Sequence, residues 1–391
     1  MARLVFYSHD GFGLGHVRRN LALSRRVVEL EPSSSVLVVT GSDVASQFEL
    51  SDGTDIIELP SLSKVSNGVY AARRLRLDGA DVHRLRADIL AATVRSFRPD
   101  VMVVDKSPLG AGGELAGALD ALHEVGGRAV LGLRDVLDDS ATVATEWTPD
   151  AVPAILRHYS RVLVYGTEGF LDPLADYALP EAVRGLSAYT GYVVNEPPGR
   201  VAVPWRDEGG PVVLATAGGG EDGAALLDAF VRAAIGAPWR GVVVAGPMIP
   251  PEEFARLSVL GAEAGVRVVS FIPALVGWFA AVDAVVSMGG YNTLVEAVAT
   301  GVPIVCVPRV RPRIEQLIRA RAFAERGLLR MLEPDRLGPM TLRAAVDAAL
   351  ADGRDPVRAA LLDQGGADAG ARDLLELAST PRSVVRRISV A

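Results

Sequence analysis

Short apolar runs alternate with longer stretches in which apolar positions recur every three or four residues. Residues 4–8 form such a run, 15–30 carry helical spacing, and 36–40 form the next run. This is a β-α-β beginning. The alternation continues through a run at 55–59, a helix over 81–97, a run at 101–104, a helix over 114–125, and runs at 129–133 and 162–165. Runs so short and so continuously apolar predict parallel strands covered by helices on both faces, because neither side of such a strand tolerates water. The first half therefore reads as a doubly wound sheet.

Between 191 and 211 the periodicity lapses into Asn195-Glu196-Pro197-Pro198-Gly199 and Asp207-Glu208-Gly209-Gly210-Pro211, a composition suited to a linker. Strand-like runs then resume at 212–216, 242–245, 266–270, 284–287 and 303–307, each followed by a helix-like stretch. The expected organisation is an N-terminal α/β domain over 1–195, a second over 196–366, and a helix at 368–377 with a polar tail within 367–391. Residues 271–290 approach the length of a membrane span, but Pro273, Gly277 and Asp283 interrupt them, so they read as a short helix and a buried strand.

Composition narrows the partners. The 391 residues are 49% hydrophobic and 22% charged, enough apolar surface for two cores. A net charge of -7 gives no global field for nucleic acid, so none is expected as a partner. The single cysteine, Cys306, lies in an apolar run and reads as strand core. With no secretory leader in the first residues, a cytoplasmic protein is expected.

In open parallel sheets, ligands sit beyond the carboxyl ends of the strands, where free amides and helix N-termini neutralise anions. Three glycine turns occupy such places. Ser8-His9-Asp10-Gly11-Phe12-Gly13-Leu14-Gly15-His16 follows the first strand, without the spacing of a dinucleotide fingerprint. Gly218-Gly219-Gly220 follows the run at 212–216, without the Lys-Ser/Thr of a Walker loop. Ser287-Met288-Gly289-Gly290-Tyr291-Asn292-Thr293 precedes a helix carrying Glu296.

From Phe271-Ile272-Pro273 through Ser287, Gly289 to Thr293, Glu296, Gly301-Val302-Pro303, Val307-Pro308 and Glu315-Gln316, the ordered pattern resembles the C-terminal domain of the MurG-like glycosyltransferases of the GT-B superfamily. Gly13-Leu14-Gly15-His16 resembles the histidine-bearing glycine turn of the same family. The resemblance implies two Rossmann-like doubly wound domains facing across a cleft, and sugar transfer from a nucleoside diphosphate sugar, UDP-linked, to an unknown acceptor with inversion. It implies that Glu296 accepts the ribose hydroxyls, that Phe271 and Ile272 border the base, and that Gly218 to Gly220 and Gly289 to Asn292 surround the diphosphate. Glu315 and Gln316 would contact the donor sugar.

A carboxylate suits a cis diol because it accepts two hydrogen bonds. His16 is the leading candidate for the base, since neutral imidazole takes a proton near pH 7, with His9 and Asp10 as rivals on the same turn. Capping, or a hydrogen bond to the diphosphate, is the alternative for His16. Asp105-Lys106 and Arg134-Asp135 follow strand runs and face the same cleft, and Lys106 is one of two lysines among 40 basic residues. It could hold an anionic acceptor or a phosphate. No Asp-x-Asp motif or histidine spacing suggests a metal, and no cofactor is expected beyond the donor.

The stretch 61–86 is long for a connection and rich in arginine, including Arg73, Arg74, Arg76, Arg84 and Arg86. It reads as a solvated face paired with Asp78, Asp81 and Asp88, with no contiguous apolar patch beside it. Peripheral membrane contact is a lesser expectation. A nucleotide-sugar hydrolase or epimerase on the same scaffold, or a non-catalytic nucleotide-sugar binder, are the rival functions.

Overall fold

The computed structural model describes residues 1–9, 14–66, 69–147, 149–195, 201, 203, 209–272 and 274–380. Asp10 and Gly13 of the first turn, and Pro273, lie outside the described residues. The strands are β1 (Arg3–Ser8), β2 (Ser35–Thr40), β3 (Thr54–Glu58), β4 (Leu62–Ser66), β5 (Val69–Ala72), β6 (Val101–Asp105), β7 (Arg128–Arg134), β8 (Tyr159–Tyr165) and β9 (Ser187–Tyr189). They continue with β10 (Val212–Thr216), β11 (Arg240–Val244), β12 (Arg267–Val269), β13 (Ala284–Ser287), β14 (Ile304–Cys306) and β15 (Arg330–Met331).

Seven strands form a parallel sheet in the order β3-β2-β1-β6-β7-β8-β9, and six form a second in the order β12-β11-β10-β13-β14-β15. In each the order reverses beside the first strand, β1 against β6 and β10 against β13, and there the crevice for a ligand opens. Val5, Val103, Leu131, Leu214 and Val285 are all essentially without exposure, as the continuous apolar runs require. The helix Leu275–Ala281 and β13 resolve the apolar stretch 271–290 as expected. No described helix is long and apolar enough to cross a membrane.

Two features lie outside the two sheets. The segment 61–86 contributes an antiparallel hairpin, β4 with β5, and the start of the helix Gly79–Phe97, capped by Asp78, whose side chain accepts from the Asp81 amide. The C-terminal helix Gly366–Ser379 does not stay with the second sheet. It returns to the first domain and packs on the helix Gly15–Leu30, with Arg26 bonded to Asp368 at 2.8 Å and Arg161 3.4 Å from Asp373. The chain crosses back beside its outward crossing, where Val193 bridges Gly365 and the Tyr192 amide donates to Asp363 O at 2.7 Å.

Candidate active site

The carboxyl ends of the central strands of both sheets meet across the domain boundary. From the first domain, the helix Gly15–Leu30 starts at this boundary with no side-chain cap, and from the second, so does Tyr291–Ala299. Asn292 Nδ2 donates to Gly15 O at 3.0 Å, so the two N-termini face one another. Each leaves amides unsatisfied within its helix and carries partial positive charge, a setting that favours an anion.

His16, in the first turn of its helix, has a side chain 14% exposed. Its Nδ1 lies 3.1 Å from Asp105 Oδ1 at the end of β6 and 3.2 Å from Arg19 Nη2. Arg19 sits one turn along the same helix and pairs with the other Asp105 oxygen. Burial alone would raise the Asp105 carboxyl, but Arg19 and then His16 outweigh it and hold the acid well below the usual carboxylate range. Nδ1 can donate to Asp105 only in the tautomer with hydrogen on Nδ1, and can accept from Arg19, which only donates, in the other, so the two contacts call for opposite tautomers. His9 lies 5.7 Å away, ring centre to ring centre, and burial with the nearby His16 and Lys106 pushes its imidazole well below the ordinary value. Its Nδ1 is buried with no hydrogen-bond partner.

At the next strand ends, Lys106 adopts a left-handed backbone, φ 69°, and is nearly buried. Its Nζ reaches Glu146 at 3.3 Å, but Glu146 also holds both terminal nitrogens of Arg313 from the second domain. Burial, then Arg313, pulls the Lys106 ammonium down to about 8, with Glu146 opposing. Arg134, closing β7, has its Nε buried without a partner. Its neighbour Asp135 is fully buried and bonded to Arg319 of the second domain, Nη2 to Oδ1 at 2.7 Å.

Glu296, in the second domain, is fully buried. Its two oxygens accept from Arg18 Nη2 at 2.7 and 2.5 Å, and Asn195 Nδ2 donates to Oε1 at 2.7 Å. Tyr291 does not turn its side chain to the glycine turn. Its ring lies buried between the Arg19 and Arg319 guanidiniums, 5.3 and 5.6 Å from its centre, while its hydroxyl donates to Tyr165 O at 3.0 Å. Phe271 is met edge-on by Phe48 of the first domain, with ring centres 6.1 Å apart, and Ile272 beside it is half-buried. Glu315 pairs with Arg309, and Gln316 Oε1 accepts from the Arg309 amide at 3.2 Å. Arg309 also reaches Asp222, just beyond the Gly218 to Gly220 turn, at 2.7 Å.

Close packing explains two glycines. A Cβ on Gly289 would come 2.6 Å from Gln316 O, and one on Gly220, φ 97°, would come 2.6 Å from Ala245 O. Gly218, Gly290 and the Gly15 helix start are less confined, and Gly219 O accepts from the Met248 amide at 2.9 Å. Ser287 Oγ and Asn292 Oδ1 are buried without hydrogen-bond partners, and Thr293 is buried beside them.

Along 61–86 the expected solvated face is found at Arg73, Arg74, Arg76 and Arg84, the last paired with Asp81, but not at Arg86. Arg86 is fully buried and gives Glu114 two bonds, at 2.6 and 2.7 Å, with Tyr7 on the same carboxylate. Leu75, Leu77 and Leu85 are exposed on that segment, as are Arg73, Arg74, Arg76 and Arg84. Among the described residues no group of three or more His, Cys, Asp or Glu is placed to hold a metal ion.

Residues 248–367 match the glycosyltransferase family 28 C-terminal domain. This interval carries Phe271, the Gly289-Gly290 turn, Glu296 and Gln316. The chain thus carries a glycosyltransferase family 28 C-terminal domain, and it is similar to MurG glycosyltransferases beyond that domain. Two curated relatives are UDP-N-acetylglucosamine--N-acetylmuramyl-(pentapeptide) pyrophosphoryl-undecaprenol N-acetylglucosamine transferases. That of Sorangium cellulosum is 29% identical over 54% of this chain and 56% of its own, and that of Halorhodospira halophila is 30% identical over 64% and 66%. The chain thus spans little more than half to two thirds of these relatives' length. An uncharacterized glycosyltransferase of Methanosarcina acetivorans is 26% identical over 82% of this chain and 83% of its own. The same GT-B fold is seen in the Acinetobacter baumannii MurG structure, with TM-score 0.59 and 13% identity over 96% of this chain and all of that one. The calicheamicin glycosyltransferase CalG4 shares it too, with TM-score 0.63 and 19% identity over 97% of this MurG-like chain and all of that one.

Proposed function

We propose that this protein moves a sugar from a UDP-linked donor to an acceptor nucleophile, with inversion and without a required metal. The observation that carries the reading is the placement of the His16–Asp105 pair beside two opposed helix N-termini, joined by the Asn292 to Gly15 bond at 3.0 Å. In the reaction, an acceptor hydroxyl attacks the anomeric carbon while His16 Nε2 takes its proton, and the bond to the diphosphate oxygen breaks with its electron pair leaving on the nucleotide. Asp105 orients the imidazole and stabilises the imidazolium. The helix N-termini and glycine-turn amides offset the leaving charge, the work a metal would otherwise do.

The donor would lie on the second domain, with its diphosphate along Gly218 to Gly220 and Gly289 to Asn292, its base near Phe271 and Ile272, and its ribose at Glu296. Both Glu296 oxygens already accept from Arg18, so a ribose diol would exchange with that guanidinium. Phe48 would likewise yield its place on Phe271. Donor entry and relative movement of the domains are therefore one event in this reading. The exposed leucines and arginines of 73–85 would suit peripheral contact with an anionic membrane surface.

A panel of UDP-, GDP- and dTDP-sugars, led by UDP-N-acetylglucosamine, tests the reading by nucleoside diphosphate release with and without acceptors. Release that requires an acceptor is the expected result. Acceptor-independent release would identify a hydrolase, and binding without turnover under any condition would identify a non-catalytic binder.

A further inference from the structure

Both positions assigned to the nucleoside are touched from the opposite domain. Arg18 reaches the Glu296 carboxylate at 2.7 and 2.5 Å, and Phe48 meets Phe271 with ring planes at 89° and centres 6.1 Å apart. The two contacts differ in kind. A carboxylate oxygen has few lone pairs, so a guanidinium bonded there must give way when a ribose diol arrives. An aromatic ring has no exclusive partner, and a flat base can come between two rings and touch both. Phe48 is placed for this by the chain that leaves β2. From Gly41 it passes through the short 3-10 turn Ala45–Gln47, which the Phe48 amide closes by donating to Ala45 O at 3.2 Å. Phe48 and Leu50 then pack, half-buried, on an apolar cluster that also receives Ile272 and Leu275 from the second domain. Phe271 is half-buried as well, so both rings keep surface that a ligand can cover.

Flat rings in contact lie about 3.5 Å apart, so a base held between two of them sets their centres at about 7 Å, only about 1 Å wider than the empty slot. We propose that Phe48 is the second wall of the nucleobase pocket, so that the base enters between Phe271 and Phe48 and is held by one ring from each domain. The base takes the place that Phe48 yields on Phe271, and Phe48, turned about its side-chain bonds, covers the other side. This inference rests on the donor reading, which puts the base at Phe271 and Ile272. It also fixes a sign. A ring that merely fills the empty position competes with the nucleotide, whereas a ring that covers the bound base strengthens its binding.

Calorimetry of the full chain tests this with UDP and with 5,6-dihydro-UDP, whose base keeps the same hydrogen-bonding edge but is no longer flat. Phe48→Ala should weaken UDP binding about five- to twentyfold, and Phe48→Trp should stay within about twofold of wild type. Wild type should prefer UDP to dihydro-UDP by about threefold or more, and that preference should shrink in Phe48→Ala. Equal or tighter UDP binding by Phe48→Ala, or an unchanged preference for the flat base, overturns the proposal. Phe48→Leu keeps the apolar packing without the ring, so its Tm should stay within about 2 °C of wild type while UDP affinity falls. This variant decides the matter if the Ala variant does not fold, and wild-type affinity in it likewise overturns the proposal. A wild-type protein that binds no UDP would instead sink the donor reading, and this inference with it.

Discussion

On the N-terminal side of the cleft the strand ends carry Asp105, Lys106, Arg134 and Asp135, whereas on the C-terminal side they end in Thr216, Ser287 and Cys306, the first two passing into glycine turns. Both sides are parallel sheets that reverse at the same kind of switch point. The first presents titratable side chains, of which Asp105, Lys106 and Asp135 are held in ion pairs, and the second presents backbone amides and a helix end. Side chains can exchange protons and discriminate acceptors, while amides hold a diphosphate at any pH. In the proposed reaction the duplicated architecture is divided by chemistry, with proton transfer on one side and charge stabilisation on the other.

That division can be broken from either side. His16→Ala should lower turnover by about 10²–10⁴ while leaving UDP affinity nearly unchanged, as steady-state rates and calorimetry would show. Near wild-type turnover would remove His16 from the base role. Asp135→Asn leaves Arg319 buried with a neutral partner, and unfolding should show a loss approaching the roughly 3–5 kcal/mol typical of broken buried pairs. A change near zero would mean that the pair is not closed in solution.

Two smaller effects address the ribose position. Glu296→Ala should weaken UDP binding by about tenfold, the loss of one or two good hydrogen bonds. Arg18→Ala should strengthen it by a lesser factor, since the diol no longer competes for the carboxylate. If both variants bind UDP like wild type, Glu296 is a domain contact only.

The smallest effect is confined to pH. Lys106 has a folded value near 8, below the roughly 10.4 of an unfolded lysine, so between these the unfolded chain binds more protons and stability rises with pH. In Lys106→Met that rise should flatten, and an unchanged slope in chemical denaturation would show that another group is responsible.

The strands were legible because each is a short run buried on both faces, and the glycine turns of the second domain were legible because they are continuous in sequence. The charge network was not. Arg18 and Glu296 lie 278 residues apart, and Arg319 and Asp135 lie 184 apart, so no local spacing announces either pair. Arg86 looked like one arginine among many in a basic stretch, because only the fold brings Glu114 and Tyr7 beneath it. His16 was visible from its turn, but Arg19, one turn further on, became meaningful only once β6 placed Asp105 beside both.

The paired crossings at Val193 and Gly365 set the mechanics of any opening. Two covalent strands running side by side behave as a strap hinge: they bend readily across their width but resist twisting, because a twist would shear the bridge between them. Since the C-terminal helix is anchored to the first domain, a cut in either crossing alone leaves the halves joined by the other. The protein is in effect latched at its hinge, and its two faces should part and meet again along one repeatable arc.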